Sequence, residues 1–161
     1  MSHDVEPLET GVWLVQLRNL AMRRSRGEVE LAASLRRAIH LAQLAPRPLH
    51  HLVGCPLPES EFERLLESET LLPAALGLLG NGFNYTVSPM DGAGETEAEV
   101  WFSNECHGAS ASGSSAAAAL FTAWLDCLLA LDPSVGFGAT PPNPPIRRKC
   151  LSERRPRLTE H

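Results

Sequence analysis

No apolar run in this 161-residue chain approaches the about 18 residues that a membrane-spanning helix needs, so no such helix is expected. No two of the four cysteines, Cys55, Cys106, Cys127 and Cys150, form a Cys-x-x-Cys pair. Cysteines this widely spaced are expected as free thiols in a cytoplasmic protein. The opening residues, Met1-Ser2-His3-Asp4-Val5-Glu6, are acidic and lack the basic start and apolar centre of a secretory signal. A cytoplasmic location is therefore the expectation. Gly92-Ala93-Gly94 is not followed promptly by a helix pattern, so it does not make a phosphate loop. Lysine is nearly absent: Lys149 stands alone beside thirteen arginines.

What is present suits a globular domain. Apolar residues make up 43% and charged residues 20%, enough to bury one good core or two small ones. The net charge of −5 is unevenly placed. From Arg18 to Arg37 there are six arginines against Glu28 and Glu30. From Glu59 to Glu105 there are ten acidic residues and one basic residue, Arg64. From Pro141 onward there are six basic residues against Glu153 and Glu160. Oppositely charged surfaces invite pairing within or between molecules. The plainer outcome is ordinary ion pairs on solvated faces, which contribute little.

Residues 1–80 read as a helical region. Thr10 is placed to cap a helix carrying Val12, Trp13, Leu14, Val15, Leu17, Leu20 and Met22. Ser25-Arg26-Gly27-Glu28 matches a capping box and opens a second helix to about Ala45. Its apolar set, Val29, Ala32, Ala33, Leu35, Ile39 and Ala42, repeats near the helical period. Pro46 and Pro48 stop it. A second capping box, Ser60-Glu61-Phe62-Glu63, starts a short helix with Phe62, Leu65 and Leu66 inward. Thr70 is placed to cap a last turn or two through Leu79, which Gly80 and Gly82 end. Between these helices, His50-His51 and Cys55 sit in a Pro-rich turn. Adjacent histidines point in different directions, whereas helical metal ligands recur at three or four residues. No metal and no cofactor is expected.

Residues 81–132 read as a β-β-α unit. Phe83, Tyr85 and Val87 share one strand face, with Asn84, Thr86 and Ser88 opposite and Pro89 at the end. Asp91-Gly92-Ala93-Gly94 is turn chemistry. The second strand alternates Thr96, Ala98, Val100 and Phe102 against Glu95, Glu97, Glu99 and Trp101, giving one buried and one acidic face. Ala109-Ser110-Ala111 suggests a short third strand, and Ser112-Gly113-Ser114-Ser115 supplies an N-cap. The helix from Ala116 to Leu131 places Ala117, Leu120, Phe121, Trp124, Leu128 and Leu131 on one apolar stripe. Residues 133–161 form a Pro-rich basic tail, beginning with Gly136-Phe137-Gly138 and Pro141-Pro142-Asn143-Pro144-Pro145. The fold class expected is α+β, with N-terminal helices packed against or beside a small antiparallel meander and one long helix.

Tyr85-Thr86-Val87, a glycine turn, Ala98-Glu99-Val100-Trp101-Phe102, a second turn, then Gly113-Ser114-Ser115 and Ala116 to Leu120 before a long helix resembles two patterns. One is the β-β-β-α core of HicB-like antitoxins; the other is the small α-β-α sandwich of prophage proteins. The resemblance covers about 50 residues, 80–131, and implies a partner-binding or accessory role, prophage or mobile-element encoded, rather than catalysis. HicB-like antitoxins carry a DNA-binding segment after this core, and residues 133–161 show no helix-turn-helix pattern.

The function expected is therefore a non-catalytic accessory protein, an inhibitor or adaptor. It would bind a basic protein partner through Glu95, Glu97, Glu99, Trp101 and Glu105. Such a face repels a phosphate backbone, so nucleic acid is expected only at the tail, through Arg147, Arg148, Lys149, Arg154 and Arg155. That tail makes a DNA-binding, antitoxin-like regulator the second expectation. The third is a thiol enzyme using Cys106 and His107, although adjacent side chains seldom meet and no third residue orients them. A homo-oligomer is compatible with all three.

Overall fold

A computed structural model describes residues 6–23, 27–53, 57–92, 94–102 and 108–131. Its elements run α1 (Thr10–Met22), α2 (Glu28–Gln43), α3 (Arg47–Val53), α4 (Glu59–Leu66), α5 (Leu72–Leu79), β1 (Phe83–Pro89), β2 (Thr96–Phe102), β3 (Gly108–Gly113) and α6 (Ala116–Leu129). The class is α+β. The three strands form an antiparallel meander in the order β1-β2-β3.

Helix α6 sits at the centre. None of its residues is exposed, and Ala117, Ala119, Leu120, Phe121, Ala123, Trp124, Leu125, Cys127 and Leu128 are buried. Between its end residues, only the stripe Ala118, Thr122 and Asp126, at four-residue spacing, is partly open, and a helix this apolar packs on its neighbours around the rest of its circumference. Here β2 and β3 cover one side, while α1 and α5 pack on the other. The broad stripe expected on α6, with Leu125 widening it, is buried, and Ala119, Ala123 and Cys127 are buried beside it. Its N-terminus is capped by Ser115, whose hydroxyl accepts from the Ala118 N–H at 3.2 Å. Trp124 Nε1 is buried and has no hydrogen-bond partner among the described residues, a cost of about 1–3 kcal/mol set against burial of the whole indole.

The helical layer is built from α1 and α2. The fully buried Trp13 donates its indole N–H to the Leu41 carbonyl at 2.7 Å. That carbonyl lies in the last turn of α2, where helical acceptors run out of partners. The Leu8 N–H likewise donates to the Leu44 carbonyl at 3.0 Å. These two bonds tie the start of α1 to the end of α2. One cluster of buried side chains runs from Trp13 through Leu35, Phe62, Leu78 and Val100 to Leu128, so the helical layer and the sheet share it.

Several helix starts differ from the sequence reading. Thr10 is the first residue of α1, after Glu9 as N-cap. Gly27 caps α2, directly before Glu28, and Ser25 lies outside the described residues. Pro58 precedes α4, with its carbonyl accepting from Glu61 and Phe62, so Ser60 is already helical. Leu71, not Thr70, caps α5. In each case a backbone carbonyl begins the helix without a side-chain cap. Residues 47–53 form a helix rather than a turn: Pro48 stands in its first turn, where no N–H is needed, and His50 and His51 close it. On α2, Val29 is 86% exposed and the core positions are Leu31, Leu35, Ala38 and Ile39. Gly80 ends α5 with φ +55°, as expected of a glycine there.

Two contacts generate predictions. Gly82 lies against the backbone of α3, where a Cβ would run into the Leu52 carbonyl. Gly82→Ala should therefore destabilise the protein by about 1–3 kcal/mol, measured by denaturant unfolding. Arg36 of α2 holds Glu63 of α4 in a two-pronged bond, Nε to Oε1 at 2.8 Å and Nη2 to Oε2 at 2.8 Å. The hydrogen bond from Arg36, with its charge, keeps the Glu63 carboxyl below the usual carboxylate range, while Arg36 is pushed up by the same bond. A lowered carboxyl contributes stability at pH values above its unfolded value, and this is lost as pH falls through the folded value. Glu63→Gln should thus lower the melting temperature slightly at neutral pH, and the difference from the native chain should close in acid. Thermal scans across pH check this.

Candidate functional site

The candidate site is the sheet face turned away from α6. Strand alternation sends Ala98, Val100 and Phe102 of β2 into the core, as the sequence pattern predicts. Glu97, Glu99 and Trp101 therefore face outward. Their neighbours follow from the register. Glu97 stands between Ser88 and Ser112, Glu99 between Thr86 and Ser110, and Trp101 between Asn84 and Gly108. Glu95 continues the column just before β2, where its carbonyl accepts from the Met90 N–H at 2.9 Å. Alternate residues on a strand are about 6.6 Å apart, so the carboxylates form an evenly spaced line.

The face has a definite chemical layout. A central acidic column is flanked on both sides by hydroxyls and amide. Thr86 donates its hydroxyl to Glu99 Oε2 at 3.3 Å, holding that carboxylate across the β1–β2 pair. No Lys, Arg or His occurs in β1, β2, β3 or α6. Trp101 closes one end and is half-buried. Its cross-strand partner Gly108 has no side chain; a Cβ there would lie 2.7 Å from Trp101 Cβ. The absence of that methyl lets the two strands close up beside the indole.

The structure brings together Glu95, Glu97, Glu99 and Trp101. Glu105, Cys106 and His107 lie outside the described residues, as do Cys55, Cys150 and the tail arginines and lysine Arg147, Arg148, Lys149, Arg154 and Arg155. The serines of β3 and the hydroxyl of Thr86 were not singled out from sequence. Their signal was the alternation Ala109-Ser110-Ala111-Ser112, which places the serines outward once the strand is accepted.

Cations gather elsewhere. The groove between α1 and α2, about 340 Å³, is lined by Gln16, Asn19, Arg23, Arg37 and His40 over leucine side chains. Arg36, beside it in sequence, is engaged with Glu63. Among the described residues no group of three or more His, Cys, Asp or Glu is arranged to hold a metal ion, and no helix is long and apolar enough to cross a membrane. No family model, curated protein or solved structure matches the chain.

Proposed function

We propose that this protein is a non-catalytic binding module, an adaptor or inhibitor, that takes a basic segment of a partner protein on its outer sheet face. The observation that carries the reading is the column of carboxylates Glu95, Glu97 and Glu99 at strand spacing on the outer sheet face. A line of carboxylates at strand spacing suits Arg or Lys side chains at alternate positions of an extended segment. The flanking hydroxyls of Thr86, Ser88, Ser110 and Ser112 offer further acceptors, and Trp101 offers a π-face for a guanidinium. Contacts of this kind set partner choice and the rate of encounter more than raw affinity.

The indole at the site provides the readout. Trp13 and Trp124 are fully buried, so collisional quenching of tryptophan fluorescence reports Trp101. An alternating Arg-Thr peptide should protect Trp101 from quenching in dilute buffer. The protection should fade as ionic strength rises from about 0.01 M to about 1 M, where the Debye length shrinks from about 30 Å to about 3 Å. The double variant Glu97→Gln, Glu99→Gln should weaken binding at least tenfold, each lost charge-assisted bond contributing about 1.5–3 kcal/mol. Binding that ignores both salt and the double variant would remove the acidic face from the function.

A further inference from the structure

The sheet is unevenly covered. Helix α6 packs mainly across β2 and β3 and barely reaches β1. Phe83, at the start of β1, is buried and its ring lies 4.8 Å from that of Phe102. Tyr85 and Val87 share its face, yet they are 46% and 37% exposed, and Met90 just beyond is 42% exposed. The core-facing side of the sheet thus continues past the helix into solvent.

Among the described residues no strand pairs with the other edge of β1. The Met90 N–H donates to the Glu95 carbonyl, which turns the backbone groups of Met90 toward β2. In an antiparallel ladder this direction alternates along the strand. The register is continuous from Phe83↔Phe102 to Pro89↔Thr96, with no bulge. The backbone groups of Phe83, Tyr85 and Val87 are therefore the ones aimed at the edge. Monomeric proteins protect such edges with charge, bulges, proline or short strands. From Phe83 to Met90 there is no charged residue, and Pro89 stands only at the end. The other edge, β3, offers only glycine, alanine and serine and would bury little.

We propose that β1 pairs with β1 of a second copy of this chain, antiparallel about a two-fold axis at Thr86. This register sets Tyr85 opposite Val87 of the second copy, Asn84 opposite Ser88 and Phe83 opposite Pro89. The outward-aimed N–H and C=O groups of Tyr85 and Val87 meet their counterparts as hydrogen-bonded pairs, and each Tyr85 packs on a branched side chain across the strands. The two α6 helices then lie on one side of a six-stranded sheet, with the Tyr85 and Val87 side chains filling the space between them. Electrostatics permit the pairing. The acidic β2 columns are separated by β1 of each copy, three strand spacings or about 14 Å, which exceeds the Debye length of about 8 Å at physiological salt. A strand from an unrelated protein has no such reason to match the uncharged, self-complementary order Tyr85-Thr86-Val87.

The full-length protein should sediment as a dimer that dissociates on dilution. Val87→Lys places an inward-pointing charge on the edge and should yield a monomer with an unchanged circular dichroism spectrum. Thr86→Cys gives a signal specific to the register. Two copies of residue 86 face each other across the axis, so oxidised glutathione should link them into a covalent dimer. Ser88→Cys, which faces Asn84, should not link, and the native chain run alongside gives the background from its own four cysteines. A native protein that stays monomeric at all concentrations, including one whose edge is covered by another part of its own chain, would overturn the proposal. So would a dimer that survives Val87→Lys, or a Thr86→Cys protein that links no better than Ser88→Cys. The result is separable from the acidic-face reading, because Glu97→Gln, Glu99→Gln alters neither Tyr85 and Val87 nor the outward backbone groups of β1, although Glu99 accepts from Thr86.

Discussion

Burial of most of α6 is the constraint from which the arrangement follows. A helix whose polar side is only the narrow stripe of Thr122 and Asp126 needs apolar cover around the rest of its circumference. Leu120, Phe121, Trp124, Leu125 and Leu128 supply most of the buried volume, each contributing about 1.5–3 kcal/mol on removal from water. The sheet alone covers one side. The remaining side requires α1 and α5, and α1 in turn is held to α2 by the Trp13 bond to Leu41. The helical layer and the β-β-α unit therefore depend on one another, and the buried cluster that spans them is the physical expression of that dependence.

The elements with strong periodicity were legible in the sequence. Strand β2 alternates without a fault from Thr96 to Phe102, and its inward set matches the buried one. The Ser115 cap, the glycine end of α5 at Gly80 and the third strand also follow from local chemistry. The failures share a cause. Thr10, Ser60 and Thr70 look like caps because local rules count side-chain acceptors, yet the ladder begins at the backbone carbonyl of Glu9, one residue before Thr10, of Pro58, two before Ser60, and of Leu71, one after Thr70. Val29 reads as core by spacing but is exposed, a fact set by tertiary packing. The acidic column of the site was visible as Glu95-x-Glu97-x-Glu99. Its setting of hydroxyls was not, because cross-strand neighbours depend on a register that no single strand encodes.

Both signs of charge occur in the helical layer, whereas β2 carries carboxylates alone. The arginines of α1 and α2, Arg18, Arg23, Arg36 and Arg37, belong to the helical side, and the carboxylates of β2 to the far side of the sheet. Arg36–Glu63 is one contact where the basic and acidic stretches of the chain meet directly. It joins α2 to α4 within the helical layer and does nothing to neutralise the sheet.

The placement of α6 also explains why the two features of the sheet occur together. A single helix is about 10 Å wide, whereas three strands span about twice the 4.8 Å interstrand spacing plus their side chains. One helix centred on β2 and β3 must leave β1 short of cover. An added helix over β1 would bury Tyr85 and Val87 but would leave the backbone edge open, because a helix packs on a sheet face and cannot satisfy in-plane donors and acceptors. Only another strand answers both needs at once. The outer face stays free for a partner in either case, since a strand added beside β1 extends the sheet in its own plane and covers neither Glu97 nor Glu99. Sheet extension and acidic-face binding use perpendicular directions of the same meander, and neither obstructs the other.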